Sequence, residues 1–300
     1  DTDTFVWLMT AALLAAALWL NLSTYFGAPV STTHSIVGGV LGAGIAAGGF
    51  GIANWAVFGK IAASWFISPI MGGIIAALFL YLIKRTITYK TDMLSAAKSV
   101  VPILIALMAW AFSTYLMMKG FKKIWTIDLV TAISIGFFIA VSLYLVVRPL
   151  INRATLMMQN TKFDVDTLFT IPLICAAALL SFAHGANDVA NSVGPLAAIN
   201  DAFNSGGITE KAAIPLWVMA IGAIGISIGL ALYGPKLIHT VGSEITELDK
   251  TRAFCISMAA AITVIIASQL GLPISSTHTA VGAVFGVGFL REYLKNNYDR

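Results

Sequence analysis

Charged residues are scarce in this sequence. Asp, Glu, Lys and Arg make up 11% of its 300 residues, while hydrophobic residues make up 58%. A soluble domain carries about 25% charged residues, and it could not hide so much apolar surface from water. The composition therefore predicts a protein whose exterior faces lipid. The basic residues are spread over short loops, so the net charge of +4 does not indicate a nucleic-acid-binding face.

Cysteine is nearly absent as well. Cys175 and Cys255 both lie in apolar segments, so a disulfide between them is not expected. No cofactor is expected either. What the sequence has in abundance is apolar runs.

Many of these runs have the length that a helix needs to cross a bilayer, about 17–25 residues. The alternation of a membrane barrel is missing, so the runs are predicted to be helices of an all-α, multi-pass protein of the cell membrane. The predicted runs are 5–26, 35–47, 61–83, 100–118, 127–147, 167–199, 212–233, 253–270 and 279–290. The run 167–199 is expected to be interrupted by a polar motif.

Two polar segments repeat each other at a distance of 244 residues. Gly27-Ala-Pro-Val-Ser-Thr-Thr-His34 corresponds to Gly271-Leu-Pro-Ile-Ser-Ser-Thr-His278, and further glycines match downstream. A gapless match of this density predicts two related halves, which is a common plan of transporters. The predicted halves are 1–147 and 167–300, joined by a linker at 148–166.

Each repeated segment is predicted to form the turn of a re-entrant hairpin, at 5–48 and 253–290. The run 35–47 covers only about 20 Å as a helix, which is short for a crossing, and proline favours a helix start after the turn. Five crossings lie between the hairpins, so the hairpins should open to opposite sides, as inverted repeats require. Thirteen Lys and Arg on one side against five on the other predict a cytoplasmic linker.

Asp188 is the acidic residue that lies within an apolar run. The other thirteen of the fourteen acidic residues lie in loops or near the ends of runs. An ionisable group within a membrane span is costly and usually functional. Asn187 and Asn191 add amide oxygens, and oxygen ligands suit a hard cation. Asp188, Asn187 and Asn191 are therefore predicted to hold a cation, while a structural pairing of Asp188 with His184 is the alternative.

The clusters of Ser and Thr in the two repeats are predicted to bind an anion rather than a cation. A helix that begins within the membrane presents free N–H groups and the positive end of its dipole, which attract an anion. Plain capping of the two turns is the alternative. The predicted anion ligands are Ser31, Thr32, Thr33, Ser275, Ser276 and Thr277.

Other residues of the repeats are expected to be structural. His34 and His278 are predicted to make hydrogen bonds beside the site rather than to bind the ligand. The glycine pairs Gly38/Gly42 and Gly282/Gly286 have the spacing of close helix packing.

Charge balance predicts how such a site works. The predicted spans hold no Lys or Arg, so an oxyanion beside Asp188 would be repelled. Each helix dipole offsets only about half a charge. A cation must therefore enter with the anion, which predicts symport.

These motifs together resemble those of the inorganic phosphate transporter (PiT) family. They are Gly185-Ala-Asn-Asp-Val-Ala-Asn-Ser192 with the two Pro-x-Ser-x-Thr-His segments, and the resemblance extends over the whole chain. It implies an inverted-repeat fold, Na⁺- or H⁺-coupled phosphate uptake, and phosphate held at both hairpins. On the motif match, Asp188, Asn187 and Asn191 fall on the family's cation and phosphate site, with Asn191 also a phosphate ligand.

The chain departs from the family pattern in two respects. The first copy of the Gly-Ala-Asn-Asp motif would precede residue 1, and the helix that usually follows the second hairpin is not in the sequence. The chain is therefore expected to be a fragment with an incomplete first half.

The predicted function is symport of inorganic phosphate with Na⁺ or H⁺, not enzymatic. A sulfate permease of the same family is the nearest alternative. A channel fits less well, because opposed hairpins suit alternating access. A metalloenzyme using His184 and Asp188 lacks a third ligand of similar strength. The expected partners are phosphate, the cation and the bilayer, and a homo-oligomer is left open.

Overall fold

The computed structural model describes residues 1–120, 127–209, 212–243, 248–271 and 273–297, which fold into ten α-helices without a β-strand. Short π-helical turns follow the third and fourth helices, at Lys84–Thr88 and Leu116–Gly120. The helices are α1 Thr2–Tyr25, α2 Thr32–Gly48, α3 Trp55–Ile83, α4 Met93–Tyr115, α5 Leu129–Ala154, α6 Lys162–Leu168, α7 Thr170–Ser205, α8 Leu216–Ser243, α9 Lys250–Gln269 and α10 Ser276–Asn297.

Seven helical segments of the described chain are long and apolar enough to cross a membrane. They are Thr2–Tyr25, Trp55–Thr88, Met93–Met118, Leu129–Met157, Thr170–Ser205, Leu216–Lys236 and Lys250–Gln269. Large apolar side chains on them are exposed, such as Trp7, Phe66 and Phe138, each about 70% exposed or more. Such surfaces are stable only against lipid. The predicted all-α, multi-pass membrane protein is confirmed.

The polar motif that interrupts the apolar run 167–199 lies within a continuous helix. Helix α7 is continuous from Thr170 to Ser205 and carries the Gly-Ala-Asn-Asp motif within it. The polar groups of the motif find partners without breaking the backbone, since the Ser192 hydroxyl donates to the Asp188 carbonyl four residues earlier, at 2.7 Å. A polar motif that satisfies itself along one helix needs no loop.

The hairpins remain predictions. Helix α1 has 24 residues and α9 has 20, so both are about 30 Å long or more and could cross a bilayer. Helix α2 begins at Thr32 and has 17 residues, which makes it about 25 Å long, longer than the run 35–47 suggested. Length alone therefore does not decide between a re-entrant hairpin and full crossings.

The chain divides into two compact units. Unit 1 comprises Asp1–Met71, Phe182–Glu247 and Ile266–Gly282, and unit 2 comprises Gly72–Ser181, Leu248–Ile265 and Ala283–Arg300. Each unit combines segments from both predicted halves, so the boundaries at 147 and 167 remain predictions. The orientation of the chain in the membrane also remains a prediction. Three of the lysines counted for it, Lys122, Lys123 and Lys211, lie outside the described residues.

Unit 1 contains two packed helix pairs that bear on the site. Helices α1 and α2 pack against each other, and Gly39 of α2 lies so close to α1 that a Cβ there would be 2.8 Å from the Ala12 carbonyl oxygen. The second half of α7 packs on α8 through the buried side chains of Val193, Ala197 and Val218. These contacts hold the motif-bearing turns of α7 in place.

Unit 2 is built around α4 and α5, which pack along their length. The indole N–H of Trp110 donates to the Ile133 carbonyl across this pair at 3.0 Å. The rings of Phe169 and Phe254, both fully buried, lie 5.6 Å apart. The unit therefore has an aromatic and aliphatic core of its own.

The predicted glycine packing is correct for one repeat and wrong for the other. A Cβ on Gly282 would lie 2.6 Å from the Pro69 Cα, and one on Gly286 would lie 2.6 Å from the Gly73 Cα, so both glycines of α10 pack on α3. Nothing in the described chain lies within 4 Å of such a Cβ at Gly38 or Gly42. In α2 it is Gly39 that packs closely on a neighbouring helix, because Gly39 lies on the face of α2 that is turned towards α1.

Candidate functional site

The two repeated segments have the same local structure. Gly27 and Gly271 adopt φ of 73° and 68° after α1 and α9, a conformation that costs other residues energy. Four residues later, Ser31 and Ser275 cap α2 and α10, each accepting a hydrogen bond from the N–H of the histidine three residues on, at 3.2 and 3.0 Å. The chain thus starts two helices in the same way. Ser31 and Ser275 cap them, as the alternative interpretation of these residues expected, while anion binding by the six hydroxyl residues stays a prediction.

Asp188 is buried in unit 1 among hydrogen-bond donors. The residue is 3% exposed. The imidazole of His184 lies 2.9 Å from one carboxylate oxygen and the amide of Asn187 lies 3.0 Å from the other. The Ser276 hydroxyl, in the first turn of α10, lies 3.4 Å from both oxygens. The carboxylate on α7 therefore contacts the start of one repeat helix directly.

Asn191 connects α7 to the other repeat helix. Its amide donates to the Thr33 hydroxyl in the first turn of α2 at 3.1 Å. That hydroxyl donates in turn to the main-chain carbonyl of Ile274 at 3.0 Å, and Asn187 reaches the same carbonyl at 3.4 Å. Asn187, Asp188 and Asn191 thus link the first turns of α2 and α10 within unit 1. The three residues are thus near one another, as a shared site requires. The pairing of Asp188 with His184, which was the structural alternative, is also present, so the site itself stays a prediction.

The six predicted anion ligands form three groups according to their hydrogen bonds. The Ser31 and Ser275 hydroxyls accept the capping bonds, while Thr33 and Ser276 bond to the network around Asp188. Thr32 and Thr277 are half-buried and make no side-chain hydrogen bond among the described residues. By the 244-residue repeat, Thr32 corresponds to Ser276 and Thr277 to Thr33, so each helix start has one engaged and one spare hydroxyl at these two positions. The hydroxyls of Thr32 and Thr277 are therefore the ones with donors to spare for a ligand at the helix N-termini.

The two histidines of the repeats lie beside this site and touch each other. The rings of His34 and His278 are 4.4 Å apart, and the Trp65 ring of α3 lies 3.9 Å from His34. The buried Nε2 of His34 and the buried indole N–H of Trp65 lack a hydrogen-bond partner in the described structure. The two rings pack against each other and, at His34, against Trp65. The Nε2 of His34 does not make the hydrogen bond expected of it within the described residues, and the role of the histidines beside a ligand stays a prediction.

Some contributors to the site were not found from the sequence. The Ile274 carbonyl accepts two side-chain bonds, but a main-chain acceptor has no residue-type signal. Ser64 of α3 donates to the Pro273 carbonyl at 3.2 Å, and the small polar pair Ser64 and Ser68 inside an apolar run could have indicated a buried polar face. Lys236 of α8 donates to the Tyr25 carbonyl at 2.6 Å, beside the Gly27 turn.

The arrangement has two kinds of chemistry within one network. Two helix N-termini with spare hydroxyls favour an anion, while a buried carboxylate with amide oxygens nearby favours a hard cation. Within the described residues, no group of three His, Cys, Asp or Glu side chains could hold a metal. A transition metal at His184 and Asp188 thus has no third strong ligand in that part of the chain.

Comparison with known proteins identifies the family. The family model described as "Phosphate transporter family" matches residues 1–298. The chain belongs to this phosphate transporter family. The PiT resemblance seen in the motifs is thereby confirmed, and the family is one of transporters.

Several relatives of this transporter-family chain carry the name "Putative phosphate permease". One from Helicobacter pylori strain J99 is 54% identical over 304 residues, which cover 100% of this chain and 57% of the relative. One from Thermococcus kodakarensis is 39% identical over 301 residues and is covered to 73%. The chain thus spans little more than half the length of the Helicobacter relative.

A solved structure described as the sodium-dependent phosphate transporter has the same fold. It superposes with a TM-score of 0.90 at 34% identity, over 100% of this chain and 74% of that one. The multi-pass helical architecture is therefore shared with a transporter of known structure.

Proposed function

We propose that the protein is a secondary transporter that carries inorganic phosphate together with a cation. The observation that carries this proposal is the contact of Asp188 with Ser276, because it brings a buried carboxylate to the first turn of a repeat helix. Support for phosphate as the anion comes from the family and from the names of the relatives.

The N-termini of α2 and α10 are the proposed phosphate contacts. Thr32 and Thr277 would donate their spare hydroxyls, and Ser31, Thr33, Ser275, Ser276 and Asn191 would complete the donor set by rotation or exchange of their present bonds. Phosphate near neutral pH carries a proton that needs an acceptor, whereas sulfate carries none. Asp188 is a suitable acceptor, which supports phosphate over the sulfate alternative.

Asp188 is also the proposed anchor for the coupling cation, with Asn187 and Asn191 as oxygen ligands. A buried carboxylate and an oxyanion repel each other strongly in a medium of low dielectric constant. A cation between them removes this repulsion, so binding of the two ions is cooperative. Sodium is the first cation to test, because the solved structure of similar fold is described as sodium-dependent. A proton is the alternative.

The proposal is tested with the complete gene product in proteoliposomes. Radiolabelled phosphate uptake is measured with an inward sodium gradient, with an inward proton gradient, and with neither. We expect accumulation above electrochemical equilibrium under one of the two gradients. Uptake that only reaches equilibrium would indicate a channel, and complete inhibition by equimolar sulfate would indicate a sulfate permease.

A further inference from the structure

Unit 2 contains a polar pocket of about 740 Å³, separate from the residues discussed so far. Its walls come from the end of α3, from α6, from the start of α9 and from the end of α10. Among the described residues, five basic side chains line it against two acidic ones. The basic residues are Lys84, Lys162, Arg252, Arg291 and Lys295.

The two acidic residues are already engaged by the start of α9. Asp166 accepts hydrogen bonds from the main-chain N–H and the hydroxyl of Thr251, at 2.9 and 2.8 Å. Asp249 accepts the N–H of Arg252 at 2.8 Å and pairs with its guanidinium at 3.1 Å. The N-terminus of α9 and the nearest arginine thus have carboxylate partners. Basic side chains outnumber acidic ones among the described lining residues, and Lys162 and Lys295 are exposed.

We propose that this pocket binds an anionic ligand that carries more than one phosphate group. Lys162 of α6 and Lys295 of α10 would supply the charge-assisted contacts. Several cations arranged around a cavity favour a polyanion, because each phosphate group accepts hydrogen bonds on several oxygens. A single phosphate ion would leave much of the cavity empty, since pockets of 300–1,000 Å³ hold ligands of drug size.

Two sources supply this chemistry. Basic pockets between membrane helices bind the head groups of anionic lipids such as cardiolipin. A soluble polyphosphate would reach the pocket from the aqueous side. All five basic residues belong to the group predicted to be cytoplasmic, which is the side where both sources occur.

The test measures both sources on the purified chain. In one arm, the protein is placed in nanodiscs of phosphatidylcholine with or without cardiolipin, and bound cardiolipin is counted by native mass spectrometry. In the other arm, radiolabelled pyrophosphate is titrated onto protein in phosphatidylcholine alone. We expect saturable binding of one of these probes, and the probe that binds identifies the source.

The variants locate the binding. Lys162 and Lys295 are both exposed, so the double variant Lys162→Gln/Lys295→Gln should keep its unfolding temperature. We expect it to bind the probe at least about tenfold more weakly, since it loses two charged contacts. Arg153→Gln is the matched control, because Arg153 is exposed at the end of α5 and outside the pocket.

Two outcomes would overturn the proposal. One is that neither cardiolipin nor pyrophosphate binds saturably. The other is that binding survives the double substitution, which would place it elsewhere, including at the transport site. If the double variant loses its fold, the two single lysine variants are measured in the same way and decide between these outcomes.

Discussion

Replacing Asp188 with Asn should uncouple phosphate uptake from the cation. The substitution keeps the size of the side chain and an oxygen for Asn187 and Ser276 to contact, but it removes the negative charge. The residue is 3% exposed, and its neighbours approach to 2.9–3.4 Å. The fold should therefore persist while the binding of a cation weakens.

The size of the effect follows from the burial of the carboxylate. Two unit charges about 4 Å apart interact by about 4 kcal/mol at an effective dielectric constant near 20, which is roughly a thousandfold in affinity. The remaining Asn oxygen can still coordinate, and the loss of one charged contact alone is about 1.5 kcal/mol, or roughly tenfold. The apparent cation affinity should thus fall between tenfold and a thousandfold.

The assay is phosphate uptake in proteoliposomes as the cation concentration is varied. Asp201→Asn is a matched control, because Asp201 lies on the same helix near its far end and bonds to Thr209 instead of the site. We expect the control to keep the cation dependence of the original protein. If Asp188→Asn also keeps it, the carboxylate is structural and the proposed cation site is wrong.

Three further predictions follow, the first two of which compare a residue with a matched counterpart. Thr33→Val should lower the free energy of unfolding by about 1–3 kcal/mol, since it leaves buried polar groups without partners. Thr32→Val should leave the stability unchanged and weaken phosphate binding by roughly ten- to a hundredfold. Equal losses of stability for the two variants in thermal unfolding would contradict this prediction. Gly282→Ala should destabilise by about 1–3 kcal/mol through overpacking, and Gly38→Ala should not; a similar melting temperature for both would refute the packing difference. Hydrogen bonds from Thr131 lower the pKa of Asp128, so the Asp128 carboxylate stabilises the start of α5 at any pH above the ordinary pKa of Asp. This stabilisation should be lost as the pH falls through the lowered pKa, and hydrogen exchange at the start of α5 should become faster. Unchanged exchange at low pH would contradict this prediction.

The local features of the site could be predicted from the sequence because they depend on neighbouring residues. Ser31 and Ser275 follow a proline turn and precede a helical run, so their capping follows from short-range chemistry. Asp188 could be singled out because an acid in an apolar run is rare. The membrane helices could also be predicted, because a long apolar run in lipid must satisfy its backbone hydrogen bonds internally and a helix does this within one segment.

The features that sequence reasoning missed depend on distant partners. The contacts of Asp188 with His184 and Ser276, and of Asn191 with Thr33, depend on which helices pack together, and the sequence alone does not specify that packing. Which glycine packs closely depends on the helix face turned to a neighbour, and the repeat pattern does not contain that information. A main-chain acceptor such as the Ile274 carbonyl is invisible in the sequence until the fold places it.

The central claim is that phosphate and a cation bind one connected site at α2, α7 and α10. It is tested most directly by equilibrium binding of radiolabelled phosphate to the purified, complete gene product, with sodium or choline as the cation and at several pH values. The account predicts that sodium, or protons in its place, raises the affinity for phosphate at least about tenfold, and that Asp188→Asn abolishes this rise. A phosphate affinity that is independent of both sodium and pH would contradict the account.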